Sequence, residues 1–251
     1  MLYLIGTGLY YLNDLPLRAV EVLKGSDEIF LERYTNLNDI SFIETLEGLV
    51  NKKIKIIGRE IVESRFLSEK SAEKDVVLLI PGDPLAATTH FSLIDECKER
   101  DIKVEIIHSS SIFSAVGETG LSLYKFGGTT SIPIYSQNFH PESFFDVIEK
   151  NEGCGYHTLV LLEVRNDEEF VSPHEAVAII KKIEEKKGKN IIEWENVMAL
   201  SKLGSESQKI VTMDYTGFAL LKPPCALVIP GEINQNEREA IDAIKNSSGT
   251  L

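Results

Sequence analysis

Four short stretches place chemically useful residues where apolar runs end. The first is LIGTGLYY, which closes on Tyr11 and carries Gly6 and Gly8 directly after an opening apolar run. Two glycines there let a ligand come close to the backbone. A dinucleotide fingerprint needs a third glycine, and that position holds Tyr11. Glu28 and Glu32 stand roughly where a ribose-binding acid would be, so plain turn glycines and a nicotinamide site both remain open. The second stretch, PGDP, holds Asp83 between two prolines that restrict the backbone and fix the direction of the carboxylate. An Asx turn explains such an aspartate. So does a cationic ligand, such as an ammonium or a sulfonium.

The third stretch, IIHSSSIFSAVG, follows a strand-like run with Ser109, Ser110 and Ser111 and then a helix start. It offers hydroxyls and free N–H groups to a polar ligand, or simply caps a helix. The fourth, LLEVRND, contains Leu161 and Leu162 at the end of an apolar run, and by itself reads as core. No GxSxG elbow, Walker loop or HExxH is present. The five histidines, His90, His108, His140, His157 and His174, show no metal-ligand spacing, and no metal is expected.

The elements that would position these residues follow from periodicity. Short β-branched runs (LYLIG, DEIFLERY, IKIIG, VVLLIPG, KVEIIHS) alternate with amphipathic stretches. This predicts a mainly parallel sheet with one crossover helix between successive strands. Around SAVGETGLSLYKFGG, Ser114 to Gly128, glycines accumulate and the spacing changes. Beyond it, TTSIPIYS, HTLVLLEV, NVMALSKLG, KIVTMDY and CALVIPG are strand-like runs with fewer helices between them, which predicts a mixed sheet. Two α/β domains are therefore expected, at about 1–112 and 113–251. The clearest helix is SPHEAVAIIKKIEEKKG: Ser172 as N-cap, Pro173 at the first helical position, Glu175 for a capping box and Gly188 as the stop. Its Ala176, Val177, Ile179, Ile180 and Ile183 share one face, so it is scaffold.

The bulk numbers narrow the function classes. The chain has 251 residues, 43% of them hydrophobic and 26% charged, with a formal net charge of −13. An acidic surface repels nucleic acid and anionic lipid, and neither is expected as a partner. Cys97, Cys154 and Cys225 are odd in number and far apart, which predicts neither a disulfide framework nor a thiolate zinc site. No run reaches the length of a membrane span and the opening MLYLIGTG has no basic leader, so a cytoplasmic protein is expected.

Taken together, the GxG after the first strand and the GDP after the fourth resemble the class III S-adenosylmethionine methyltransferases, which include the tetrapyrrole methylases. Within that group the chain is similar to the diphthamide-pathway branch. The likeness runs through LYLIGTGL, PGDPLAATTH, IHSSSIFSAVGETGLSLYKFG, PESFFDVI, HTLVLLEV and PPCALVIPG. The threonines and His90 after GDP, and YKFG at Tyr124 to Gly127, are the marks of this branch. The absence of an insertion after LLEV resembles the archaeal form.

The resemblance implies a two-domain methylase, usually a homodimer, that binds S-adenosylmethionine in a cleft between the domains. The implied cofactor contacts are Leu9, Asp83, Ala86, Ser111 and Ile112 in the first domain, and Leu162, Leu203 and Cys225 in the second. The implied substrate is a histidine of translation elongation factor 2 bearing a 3-amino-3-carboxypropyl group, whose amino nitrogen is methylated repeatedly to give diphthine. Asp83 would then be a fixed anion facing the cationic cofactor. Lys125 or Arg33 would be the cation for the substrate carboxylate, against the plainer reading of Lys125 as a solvated loop lysine. The chain departs from the family pattern at Asp14-Leu15-Pro16 and Ala19, at Lys202 in place of a common arginine, and at Cys225 in place of a frequent histidine. A tetrapyrrole methyltransferase, a nicotinamide-dependent oxidoreductase and a regulator without turnover are the rival readings.

Overall fold

The computed structural model describes residues 1–9, 12–32, 40–165, 168–212 and 215–247. The chain divides into two compact units, Met1–Phe113 and Ser114–Leu251.

Among its described residues the first unit contains five strands: β1 Leu2–Gly6, β2 Glu28–Glu32, β3 Ile54–Ile57, β4 Val76–Ile80 and β5 Val104–Ile107. They form one sheet in the order β3-β2-β4-β1-β5. Every pairing is parallel, as alternation of strand and crossover predicts. Strand β4 is buried at all five positions, which is why VVLLI reads as a continuous apolar run and not as an alternating one.

Successive side chains feed opposite faces of this sheet. Ile5, Leu31, Val77 and Leu79 pack with Ala19 and Leu23 of helix α1 (Leu17–Gly25) and with Phe42, Leu46 and Val50 of α2 (Ile40–Val50). Leu2, Leu4, Phe30 and Leu78 pack on the other face, with Val62, Leu67, Leu93 and Cys97. Those four come from α3 (Arg59–Val62), α4 (Phe66–Ser71) and α5 (Phe91–Glu99). The β3–β4 connection thus holds two short helices where a single crossover helix was expected. A four-residue helix, α6 (Ile112–Ala115), follows β5.

The second unit holds β6 Thr130–Ile132, β7 Thr158–Leu162, β8 Met198–Ser201, β9 Lys209–Thr212 and β10 Cys225–Ile229, in the order β6-β7-β10-β8-β9. Only β6 and β7 run parallel; the other pairs are antiparallel, giving the expected mixed sheet. Its helices are α7 Ser143–Gly153, α8 Pro173–Lys187, α9 Tyr215–Leu220 and α10 Gln235–Ser247.

Helix α8 begins as its sequence dictates. The Ser172 hydroxyl accepts from the Glu175 N–H, Pro173 opens the helix, and Gly188 ends it with φ 63° in the left-handed region. Ala176, Val177, Ile180 and Ile183 join the core with Phe144, Phe145, Ile148 and the strand residues, and Ile179 packs at its margin. Among the described residues no helix is long and apolar enough to cross a membrane.

Candidate functional site

In the first sheet β1 lies between β4 and β5, so the carboxyl ends of three neighbouring strands discharge their loops at one edge. Ligands of open parallel sheets bind at such an edge. The loops carry Gly6 to Leu9, Gly82 to Ala86, and Ser109 to Ile112, so the five residues expected there in this unit fall on one rim.

The glycines have a specific task. Gly8 and Gly82, at φ 77° and 75°, form an isolated antiparallel bridge. The Gly8 N–H donates to Gly82 O at 3.1 Å and the Gly82 N–H to Gly8 O at 2.8 Å. The GxG and GDP segments are therefore stitched together by backbone. A Cβ on Gly6 would sit 2.5 Å from Gly82 O and 2.9 Å from Ser109 Cβ, so only glycine permits the approach.

Asp83 is committed on three sides. Its Oδ1 accepts from the Leu85 N–H at 3.0 Å. Its Oδ2 accepts from the Ser109 N–H at 3.2 Å and lies 2.8 Å from His108 Nδ1. The Asx-turn reading is thus satisfied, and the same carboxylate ties the end of β4 to the end of β5. Its side chain is 14% exposed, while His108 is 65% exposed. A carboxylate has about four acceptor positions, so one remains.

Asp14 plays a similar part that spacing alone did not reveal. Its Oδ2 accepts from the Leu9 N–H at 3.0 Å and the Ser110 hydroxyl at 3.2 Å, and its carbonyl accepts from the Ser109 hydroxyl at 2.9 Å. Two carboxylates therefore bind three loops into one rim.

The rim fits a cationic ligand that lies against backbone. Among the described residues a Cβ on Gly82 would meet only Ser111 Cβ, at 3.9 Å, so they leave the backbone open on that side. Thr7, between Gly6 and Gly8, keeps a buried hydroxyl with no hydrogen-bond partner among the described residues. The acids considered for a ribose are engaged elsewhere. Glu28 is held at about 2 by Lys55, Lys74 and Lys70, and Glu32 is buried on His90.

In the second unit the three expected residues also gather at one sheet end. Strand β7 finishes at Leu162, and the register pairing Ala226 with Leu161 carries Leu162 to the level of Cys225. Cys225 pairs with Ser201, and the Lys202 N–H donates to Pro224 O at 3.0 Å. Lys202 takes φ 51°, an uncommon conformation for a lysine, immediately before Leu203. Leu162 and Leu203 are buried, so a ligand there would meet mainly backbone. Burial pushes the Cys225 thiol up to about 12, against weaker effects of Ser201 and Lys202, so it stays protonated and is no nucleophile.

Lys125 corrects the reading of a solvated loop lysine. Its Nζ lies 2.7 Å from Glu237 Oε2, and its side chain is 28% exposed. Arg33 and Tyr11 lie outside the described residues.

Comparison with known proteins is consistent with this geometry. Residues 1–216 match the family model described as Tetrapyrrole (Corrin/Porphyrin) Methylases. A diphthine synthase of Methanococcus maripaludis (strain S2) is 37% identical over 96% of this chain and 97% of its own length. A probable diphthine methyl ester synthase of Arabidopsis thaliana is 34% identical over 99% of this chain and all of its own. Among solved structures, a putative diphthine synthase from Entamoeba histolytica superposes with a TM-score of 0.86 at 30% identity, covering 98% of each chain. By the family match and these near full-length relatives, the chain belongs to the tetrapyrrole methylase family, in its diphthine synthase branch.

Proposed function

We propose that this methyltransferase acts on translation elongation factor 2, methylating the amino nitrogen of a 3-amino-3-carboxypropyl-histidine repeatedly until diphthine is formed. The observation that carries the reading is the likeness to diphthine synthases across nearly the whole of both chains. S-adenosylmethionine, when bound, supplies a methyl group already activated on a cationic sulfur, so the protein has no nucleophile to provide. Its work is to orient the partners and exclude water.

Leu9, Asp83, Ala86, Ser111 and Ile112 would hold the cofactor from the first unit, and Leu162, Leu203 and Cys225 from the second. Asp83 contributes one fixed negative charge and a rigid rim. The attacking amine must be neutral, and a partly desolvated site favours that by lowering its pKa. A homodimer in the cytoplasm is part of the same proposal.

The test is mass spectrometry of elongation factor 2 carrying the aminocarboxypropyl-histidine, after incubation with the protein and S-adenosylmethionine. Stepwise methyl additions that stop at the trimethylammonium are expected. One further methyl, removed by mild base, would mean the methyl ester named for the Arabidopsis relative. No addition, despite binding of S-adenosylhomocysteine, would overturn the substrate and turn the search to tetrapyrroles.

A further inference from the structure

The segment Pro84–Thr88 joins Asp83 to helix α5 and contains Ala86. Ala87 within it takes φ 53°, a left-handed conformation that costs an alanine free energy. Ala87 is exposed, so packing does not impose that angle. The segment is instead pinned at both ends. On one side Asp83 accepts from the Leu85 and Ser109 N–H groups, and its carbonyl accepts from the Ala86 N–H at 3.1 Å.

On the other side stands His90, 1% exposed. Its Nδ1 lies 3.1 Å from Pro84 O and is also bonded to the Thr88 hydroxyl. Its Nε2 lies 2.6 Å from Oε2 of Glu32, which is wholly buried at the end of β2. The imidazole thus reaches back over its own loop and fixes that loop to the neighbouring strand.

We propose that Glu32 and His90 are a positioning pair that holds the loop in its strained form and so presents Ala86 and Asp83 to the cofactor. The proposal rests on the cofactor reading above. A strained backbone persists where its surroundings over-determine it, and here the two anchors do so. Neither Glu32 nor His90 need touch the cofactor.

The test is a cycle read by calorimetric binding of S-adenosylhomocysteine, with Tm measured in parallel. His90→Ala is expected to weaken binding about tenfold as the loop relaxes. Glycine takes φ 53° without strain, so His90→Ala/Ala87→Gly should regain at least half of the logarithmic loss relative to the Ala87→Gly baseline. KM for S-adenosylmethionine should rise with little change in kcat.

If His90→Ala does not fold, Glu32→Gln, which keeps the side-chain volume, takes its place in the same cycle. An unchanged affinity despite a lowered Tm would overturn the proposal, as would a double variant no better than the single. Failure of the unsubstituted protein to bind S-adenosylhomocysteine would instead overturn the cofactor reading.

Discussion

Each unit buries a histidine against a glutamate, and the two pairs are built differently. In the second unit Glu237 accepts four hydrogen bonds, two on each oxygen. His157 Nε2 at 3.1 Å and the Ser122 N–H at 3.0 Å meet Oε1; Lys125 Nζ at 2.7 Å and the Asn234 N–H at 2.9 Å meet Oε2. His157 Nδ1 accepts from the Gly231 N–H at 3.0 Å, which fixes the neutral ring with its proton on Nε2. Every acceptor position is used, and the groups joined are the start of α10, the segment from Ser122 to Lys125, and His157 directly before β7. In the first unit His90 grips a carbonyl and a hydroxyl of a loop that holds an unfavourable backbone angle. A saturated carboxylate secures a fold, whereas a clamp on a strained loop secures a shape that something else uses.

The contrast breaks most readily at Glu237. Glu237→Ala strands Lys125 and His157 and should cost about 3 kcal/mol, the scale for breaking a buried pair. Thermal melting should then fall by roughly 10 °C for a chain of this size. Loss of S-adenosylhomocysteine affinity with an unmoved Tm would mean that this pair also serves the site.

Acid offers a second view of the same knot. Burial pushes the Glu237 carboxyl up, but Lys125, the Asn234 and Ser122 N–H groups and His157 outweigh it and hold the group at about 2. Burial also pushes His157 below its ordinary value, opposed by Glu237. Both groups bind protons more readily once unfolded, so both contribute stability that acid removes. The His157 part starts to fade below about pH 6.5, and the Glu237 part between 4.5 and about 2.

Asp83→Asn probes the other side of the comparison. The amide loses the charge and turns a donor toward one of the N–H groups it should accept, so cofactor affinity should fall about tenfold, with a smaller effect on the methyl-transfer step. Titration calorimetry with S-adenosylmethionine, whose sulfur carries the positive charge, reads this directly. Unchanged binding would remove Asp83 from the cofactor rim and leave it a loop clamp.

The smallest effect is expected at Glu152 of α7. Burial first, then Glu193 and Glu184, push its carboxyl up to about 7, and its Oε1 has no hydrogen-bond partner among the described residues. A raised acid favours the folded state below its unfolded value and loses that benefit as pH rises through 7. Glu152→Gln should therefore raise stability by about 1 kcal/mol at pH 8 and change it little at pH 5, by denaturant melts. A loss at pH 8 would give Glu152 a partner of its own.

What the sequence revealed follows the range of the interactions. Helix α8 was legible because Ser172, Pro173, Glu175 and Gly188 act within their own helix. The ten strands among the described residues were legible as β-branched runs in the first unit and strand-like apolar runs in the second, and the rim as a Gly-x-Gly and a Pro-Gly-Asp-Pro that end two of them. The capping box of α10 went unread although it is equally local. Asn234 Oδ1 accepts from the Glu237 N–H at 3.0 Å while Glu237 accepts in return, and the pattern Asn-x-x-Glu signals it. Glu32 with His90, Lys125 with Glu237 and Asp14 with the serines lay beyond reach because the partners meet only after the sheets form. Two short helices replaced one between β3 and β4 because that stretch lacks an apolar stripe long enough for a single crossover helix.

The place of β1 in the first sheet also governs when the site can exist. Its ladder partners are β4, beginning at Val76, and β5, beginning at Val104. At a synthesis rate of roughly 5–20 residues per second, the opening strand waits on the order of 4–15 s for its first neighbour. During that wait Leu2, Leu4 and Ile5, fully buried in the finished fold, have no strand beside them. The rim closes only once the serines after Ile107 have been made, so it is completed last, when the first unit is almost fully synthesised.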